Sequence, residues 1–248
     1  MTEFITTPEG RRIAYAKTEG AGPGIVFLHG FKSDMQGTKV LALEDWARAQ
    51  GREFLRFDYS GHGQSDGEFT EGAIGDWFED ARDTIRALTN GPQVLVGSSM
   101  GGWISLLLAR EHPELVAGLV TIAAAPDFTE DGYWASFDKA ERRALEEVGY
   151  VDVPSDYGEP YRITRRLINE GRNRLVLRDP LSLNFPVRCL QGTDDDAVPV
   201  EWATRLLAHA QCPDMRLTLV KGADHRFSEP DDLTLIEQAV VEVLVRVG

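Results

Sequence analysis

QVLVGSSMGGWISLLLARE, residues 93–111, joins a short apolar run to a mostly apolar helical pattern through a turn of small residues. The turn contains Gly97-Ser98-Ser99-Met100-Gly101, a G-x-S-x-G pattern between a predicted strand and a predicted helix, and this context is typical of a nucleophile elbow. A serine at so sharp a turn has a strained backbone and needs small neighbours two residues away, which Gly97 and Gly101 provide. The stretch therefore predicts a strand, a turn that exposes Ser99, and a helix. Ser98 lacks the flanking glycine pair.

Apolar runs alternate with helical patterns on both sides of this turn. The run GIVFLHG, residues 24–30, is bounded by glycines and is typical of a strand buried on both faces. The alternation favours an α/β fold with a doubly wound, mostly parallel sheet. The predicted strands span residues 11–20, 24–30, 53–61, 93–99, 115–125, 187–192 and 215–220, and the predicted helices span residues 38–50, 73–89, 101–111, 200–210 and 233–247.

The alternation is interrupted by a polar, aromatic and charged segment, residues 127–184. Helical pieces are predicted there at residues 136–147 and 162–170. An insertion at the carboxyl ends of parallel strands lies over the crevice where such sheets bind ligands. The sequence therefore predicts a catalytic core formed by residues 1–126 and 185–248, with residues 127–184 as a small cap.

A serine hydroxyl becomes a good nucleophile only when a base removes its proton, and the chain has five histidines. After a G-x-S-x-G elbow the order along the chain is serine, acid, histidine. Of the histidines that follow Ser99, namely His112, His209 and His225, only His225 lies in a loop directly after a predicted strand. We therefore predict that His225 is the general base.

The acid is expected after the predicted strand VRCLQG, where three aspartates occur in QGTDDDAVPV. A carboxylate in this place holds the histidine in the correct tautomer and stabilises its protonated form. The spacing Gly-x-x-Asp-x-x-Val-Pro, common in this kind of fold, selects Asp195. Asp194 and Asp196 remain alternatives.

Two backbone N–H groups are predicted to form an oxyanion hole. Met100 N–H follows the nucleophile, and the second donor comes from the loop after the strand 24–30. The residue after His29-Gly30 is Phe31, so its N–H is the second candidate, while Gly30 allows the backbone to approach closely. His29 is expected to shape this loop rather than to act in catalysis.

Composition excludes several classes of protein. The chain has 248 residues and a net charge of −14, so nucleic acid and anionic membranes are not expected as partners. No apolar run approaches the roughly 20 residues of a membrane span, and the N-terminus resembles no signal peptide. A cytoplasmic location is the resulting expectation. Cys189 and Cys212 are too few for a disulfide framework, although they leave one pairing open, and the oligomeric state is not predicted.

The motifs GIVFLHGF, RFDYSGHGQSDG, LVGSSMGGW, QGTDDDAVP and GADHRF together resemble the serine hydrolases of the α/β-hydrolase superfamily. The sequences DMQGTKVLALEDWA and GPQVLVGSSMGGWISL are most similar to the branch of mitochondrial acyl-glucuronide esterases and palmitoyl-protein thioesterases. This resemblance implies cleavage of esters or thioesters, with Ser99, Asp195 and His225 in the matching positions. It implies small-molecule esters or thioesters, or acylated proteins, as substrates, and neither a metal nor an organic cofactor.

Two other functions use the same residues or the same fold. A carbon–carbon bond hydrolase would use the same triad, and a non-catalytic ligand-binding protein would keep the fold but lose a triad member. In the cap, aromatic residues including Trp134, Tyr150 and Tyr161 are expected to provide an apolar pocket wall for a small to medium acyl group. Some cap arginines are expected to bind an anionic leaving group, from the set Arg162, Arg165, Arg166, Arg172 and Arg174.

Overall fold

An eight-stranded, mostly parallel sheet forms the centre of the computed structural model, which describes residues 2–155 and 158–248. Across the sheet, the first strand pairs antiparallel with the second, the second pairs antiparallel with the third, and the remaining neighbours are parallel. In order across the sheet the strands are β1 (Glu3–Thr6), β2 (Arg12–Thr18), β4 (Arg52–Phe57), β3 (Ala21–Leu28), β5 (Gln93–Ser98), β6 (Val116–Ile122), β10 (Val187–Gly192) and β12 (Met215–Val220). The predicted α/β fold class is confirmed.

Helices cover both faces of the sheet because neighbouring residues of each buried strand point to opposite sides. The helices are α1 (Thr38–Ala49), α2 (Ile74–Leu88), α3 (Met100–Glu111), α4 (Lys139–Glu147), α5 (Arg165–Gly171), α6 (Val200–His209) and α7 (Pro230–Val247). Val26 and Leu28 of β3 pack with α2 and α3, whereas Ile25 and Phe27 pack with α1 and α7. No helix within the described ranges combines the length and the apolar character needed to cross a bilayer.

The segment between β6 and β10 contains α4, α5, one antiparallel strand pair and a further short strand, which pairs with a strand outside the segment. The antiparallel strands β7 (Tyr150–Val153) and β8 (Tyr161–Thr164) face each other, and β9 (Leu181–Ser182) lies beside β11 (Ala210–Gln211). The predicted helix at 162–170 begins late, because residues 162–164 belong to β8 and the Thr164 side chain accepts the N–H of Leu167 as the N-cap of α5. The cap boundaries 127 and 184 stay a prediction.

One buried carboxylate joins the two ends of this segment. Asp127, fully buried and with φ of 61°, accepts hydrogen bonds from the N–H groups of Val176 and Leu177 at 2.8 and 3.1 Å. It also lies 3.3 Å from the guanidinium of Arg178. Burial opposes the charged form and outweighs these bonds, so the pKa of Asp127 is raised. Asp127 thus acts as an anchor that holds the start of this segment to residues near its end.

Candidate active site

The turn after β5 places Ser99 at a strained position. Its φ of 54° and ψ of −117° are rare for a residue with a side chain. The backbone is held by the Ser99 N–H, which donates to Ile122 O at 2.9 Å, and by the Ser99 carbonyl, which accepts from Ala125 N at 3.1 Å. Ser99 lines the cavity described below.

The neighbouring glycines are required by space rather than by their own φ. A Cβ on Gly97 would overlap the carbonyl oxygen of Gly101, and a Cβ on Gly101 would overlap the carbonyl oxygen of Leu28. Both close approaches bring α3 against the sheet directly behind Ser99. The two glycines that the motif analysis singled out therefore support the turn sterically.

His225 and Asp195 lie side by side at the carboxyl ends of β12 and β10. The Nδ1 atom of His225 is 2.9 and 3.0 Å from the two carboxylate oxygens of Asp195. The Val198 N–H and the Gln191 side-chain amide also donate to this carboxylate, at 2.8 and 3.0 Å. Burial opposes the ionised form, but these bonds outweigh it, so the pKa of Asp195 is lowered.

Among the three adjacent aspartates, the geometry distinguishes one. Asp194 accepts a hydrogen bond from the hydroxyl of Thr193 at 3.0 Å, and Asp196 faces the cavity without a hydrogen bond to His225. Only Asp195 of this run bonds the imidazole. The bond occupies Nδ1 of His225 and leaves Nε2 as the ring nitrogen available to a serine proton.

The loop after β3 brings Gly30 and Phe31 next to Ser99. A Cβ on Gly30 would lie 3.3 Å from Ser99 Cβ and 3.9 Å from Ser99 Oγ. Within residues 2–155 and 158–248, the N–H groups of Phe31 and Met100 have no hydrogen-bond acceptor. Met100 opens α3, where first-turn N–H groups lack partners inside the helix. The two candidate oxyanion donors therefore flank the same hydroxyl.

Two buried histidines shape this loop. His29 Nδ1 lies 2.9 Å from the carbonyl oxygen of Gly30, and His62 Nε2 lies 3.2 Å from the N–H of Lys32, which donates to it. Burial lowers the pKa of His29 to about 4 and that of His62 to about 3, so both rings are neutral at physiological pH. The buried Asp58 accepts the Met35 N–H at 2.7 Å. The expectation that His29 shapes the loop agrees with its contact to Gly30.

Ser99 and His225 open into a cavity of about 1020 Å³. Its end beneath the cap is aromatic and apolar, with Phe31, Phe128, Tyr133, Val153, Tyr161 and Trp202 in the wall. The wall also carries Lys39, Arg226 and Lys32, and the ammonium group of Lys32 lies 5.2 Å from the ring centroid of Tyr161. Burial lowers the pKa of Lys39 to about 8, and its ammonium group donates to the carbonyl oxygen of Arg226. The cavity wall thus combines a group of aromatic rings, three basic side chains and the two reactive residues.

The cap rings only partly match their predicted positions. Tyr161 lines the cavity, with its ring 5.8 Å from that of Phe31. Trp134 instead packs between the guanidinium groups of Arg142 and Arg172, and Tyr150 lies under Arg162 at 3.8 Å. Neither Trp134 nor Tyr150 lines the cavity. The expectation of an apolar wall holds, but other rings provide most of it.

The cap arginines do not reach the cavity, contrary to the leaving-group hypothesis. The carboxylates of Asp152, Asp76, Glu130 and Glu170 pair with Arg162, Arg166, Arg172 and Arg174, respectively. Arg165 donates to the carbonyl oxygen of Glu146 at 2.8 Å. The reason is the abundance of acidic side chains, which satisfy the guanidinium groups within the protein. The basic residues in the cavity wall come from the core.

The other predicted alternatives lie elsewhere. His112 stacks on Phe78, and His209 lies 2.8 Å from the carbonyl oxygen of Asp179, so neither lines the cavity. Cys189 and Cys212 are free thiols. Within the described ranges, no group of three His, Cys, Asp or Glu side chains is arranged to hold a metal ion.

Comparison with known proteins assigns the family. A model of the alpha/beta hydrolase family matches residues 25–235, which is most of the chain. The chain belongs to the α/β-hydrolase family, and it is an enzyme of the hydrolase class. The resemblance inferred from the motifs is confirmed.

The similar proteins include both animal and bacterial ones. The human protein named palmitoyl-protein thioesterase ABHD10, mitochondrial, is 35% identical over 243 residues, which cover 97% of this chain and 79% of that protein. The structure of alpha/beta hydrolase domain-containing protein 10 from mouse superposes with a TM-score of 0.93 at 33% identity, covering 100% of both chains. A crystal structure from Agrobacterium vitis S4 gives a TM-score of 0.94 at 39% identity, covering 98% of both chains.

The prediction of a cytoplasmic location is wrong by this comparison. The bovine and human relatives, each 35% identical to this chain, are named as mitochondrial proteins. The prediction depended on the absence of recognisable signals, and a targeting signal is read by a receptor without being part of the packed domain. The location therefore cannot be derived from the folded domain.

Three groups near the site were not identified from sequence. His62 lies in the glycine-rich stretch YSGHGQSDG, a pattern that marks a loop near the site but does not predict the contact of His62 with Lys32. Gln191 is the next-to-last residue of β10, and its place in an apolar run predicts a residue of the core. Tyr133 lies in the cap, where no periodic pattern distinguishes one ring from another.

Proposed function

We propose that this chain hydrolyses carboxylic esters or thioesters of small to medium acyl groups through a Ser99–His225–Asp195 triad. The observation that carries the proposal is the bond from His225 Nδ1 to Asp195, at 2.9 and 3.0 Å, beside the cavity that Ser99 and His225 both line. Relatives named as thioesterases support the kind of bond that is cleaved.

The proposed reaction has two halves. Neutral His225 takes the proton of Ser99 as the hydroxyl oxygen attacks the carbonyl carbon, and Asp195 stabilises the imidazolium that forms. The carbonyl oxygen becomes negative and accepts hydrogen bonds from the N–H groups of Phe31 and Met100. Imidazolium then protonates the leaving alcohol or thiol, which departs from an acyl-enzyme. Water, activated by the same histidine, releases the acid and restores Ser99.

The cavity suggests how the substrate lies. An apolar acyl group fits the aromatic end formed with Phe31, Phe128 and Trp202, since ligand sites bury apolar groups against such walls. The leaving group is then expected to lie toward Lys39, away from these rings.

A labelling experiment tests the proposal. A fluorophosphonate probe is expected to modify Ser99, and Ser99→Ala is expected to lose both labelling and turnover of 4-nitrophenyl esters and acyl thioesters, by roughly 10⁴-fold or more in kcat. Ser98→Ala is the matched control, and it should retain labelling. Persistent labelling of Ser99→Ala would show that another nucleophile acts, and a labelled enzyme that cleaves no ester or thioester would refute the proposed substrate class.

A further inference from the structure

Tyr133 has an unused hydroxyl group at the aromatic end of the cavity. Its ring is fixed by three neighbours, with centroid distances of 6.2 Å to Phe31, 5.7 Å to Phe128 and 6.3 Å to Phe137. The residue lines the cavity, and its hydroxyl group has no hydrogen-bond partner among residues 2–155 and 158–248. The donor is therefore free on a rigid ring inside the substrate site.

The unpaired hydroxyl favours a ligand that can pair with it. The hydroxyl oxygen of Tyr133 is not fully buried, so water in the cavity can reach it. A bound apolar group would displace that water and leave the donor without a partner, at a cost of about 1–3 kcal/mol. Burial raises the pKa of Tyr133 above its usual range, so the group is a neutral phenol that can donate. Phe31, Phe128 and Trp202 offer no acceptor in their side chains. We therefore expect the bound substrate to supply the acceptor for the Tyr133 hydroxyl group.

We propose that the substrate group bound at the aromatic end carries an oxygen acceptor, such as an ether, carbonyl or hydroxyl oxygen, and that Tyr133 selects it by donating a hydrogen bond. This inference rests on the proposed function. A site with one donor in an apolar wall discriminates against an all-carbon isostere, because that substrate leaves the donor without a partner.

A second phenol lies nearby. Tyr161 also lines the cavity and packs edge-on against Phe31, with the ammonium group of Lys32 5.2 Å from its ring centroid. The ring of Tyr133 is held instead by Phe31, Phe128 and Phe137. The assignment to Tyr133 therefore predicts different effects for the two Tyr→Phe substitutions.

The experiment uses 4-nitrophenyl alkanoates of one chain length and their isosteres in which a single methylene is replaced by an ether oxygen at successive positions. The measured quantity is the ratio of kcat/KM between each ether substrate and the all-carbon parent. The wild-type enzyme is expected to show a ratio about 3- to 10-fold higher at one ether position than at the other positions. Tyr133→Phe should reduce that ratio to the value at the other positions.

Two controls keep the result interpretable. Tyr150→Phe makes the same chemical change outside the cavity and should retain the wild-type ratio. A ratio that is the same at every position, or one that Tyr133→Phe leaves unchanged, overturns the proposal, as does a loss seen in Tyr161→Phe instead. Failure of the proposed function can be told apart from failure of this inference, because the all-carbon ester would then not be cleaved at all.

Discussion

The N–H of Lys32 donates to Nε2 of His62 at 3.2 Å, and this bond fixes the tautomer of a buried ring. Since Nε2 accepts, Nδ1 carries the proton, and it lies 3.2 Å from the carbonyl oxygen of Ser60. Lys32 has φ of 53°, so the bond restrains a strained residue directly after Phe31. His62 thus acts on the proposed oxyanion donor through the backbone.

Replacing His62 should affect catalysis without affecting substrate binding. His62→Phe keeps a ring among Phe69 and Trp77 but removes the acceptor, so the Phe31 N–H is expected to lose its alignment. We expect kcat to fall by about tenfold with KM within about twofold, since an oxyanion donor acts mainly in the transition state. His62→Gln, which offers a side-chain acceptor, should restore part of the loss. A change confined to KM would contradict a positioning role.

Among the three adjacent aspartates, only Asp195 should cause a large loss of kcat when it is replaced by asparagine. An amide at this position favours the wrong tautomer of His225 and costs about 10⁴-fold in kcat in related triads. Asp194→Asn and Asp196→Asn are the matched controls, because neither carboxylate bonds the imidazole. Similar, mild losses in all three variants, measured with one ester substrate, would place the acid elsewhere.

Removing the anchor at the base of the cap should destabilise the protein. Asp127→Ala leaves the buried N–H groups of Val176 and Leu177 without an acceptor and the Arg178 guanidinium without one partner. The free energy of unfolding in urea is expected to fall by about 3 kcal/mol. Asp152→Ala breaks only an exposed ion pair with Arg162 and should leave stability nearly unchanged. Equal stability of the two variants would show that the anchor is not needed.

Acidification should destabilise the fold through its buried histidines. An unfolded histidine has a pKa near 6.5, whereas folding holds His29 at about 4 and His62 at about 3. Between these values the unfolded state binds more protons, so stability is complete above about pH 6.5 and is lost as the pH falls. His62 alone should contribute a loss of about 2 kcal/mol between pH 7 and pH 5.

The same variant isolates this contribution. In His62→Phe, the decrease in the free energy of unfolding between pH 7 and pH 5 should be smaller than in the wild-type protein by about that amount. Buried carboxyl groups such as Asp58 respond with the opposite sign, but they are present in both proteins. An identical decrease in both proteins would mean that His62 does not remain neutral.

Periodicity and spacing predict the core more completely than the cap. β5, α3 and their glycines follow from local sequence, because a strand, a sharp turn and a helix each have a short-range pattern. The position of Asp195 follows from spacing, but its contact with Gln191 depends on how β10 ends against the loop. In the cap, no sequence pattern distinguishes Trp134 from Tyr161. The tertiary packing places Trp134 against two arginines and Tyr161 in the cavity wall. Long-range pairing therefore limits the prediction of the site.

The anchor at Asp127 favours exchange of the cap. Because this carboxylate holds the entry and the exit of the segment together, the chain between them can vary in length and shape while the sheet below keeps its register. A replacement segment would give up core contacts such as the pair of Arg166 with Asp76. New segments grafted between residues 128 and 175 would inherit the reactive serine and histidine unchanged and would supply a new wall. The same core can thus be given a different selectivity without rebuilding its chemistry.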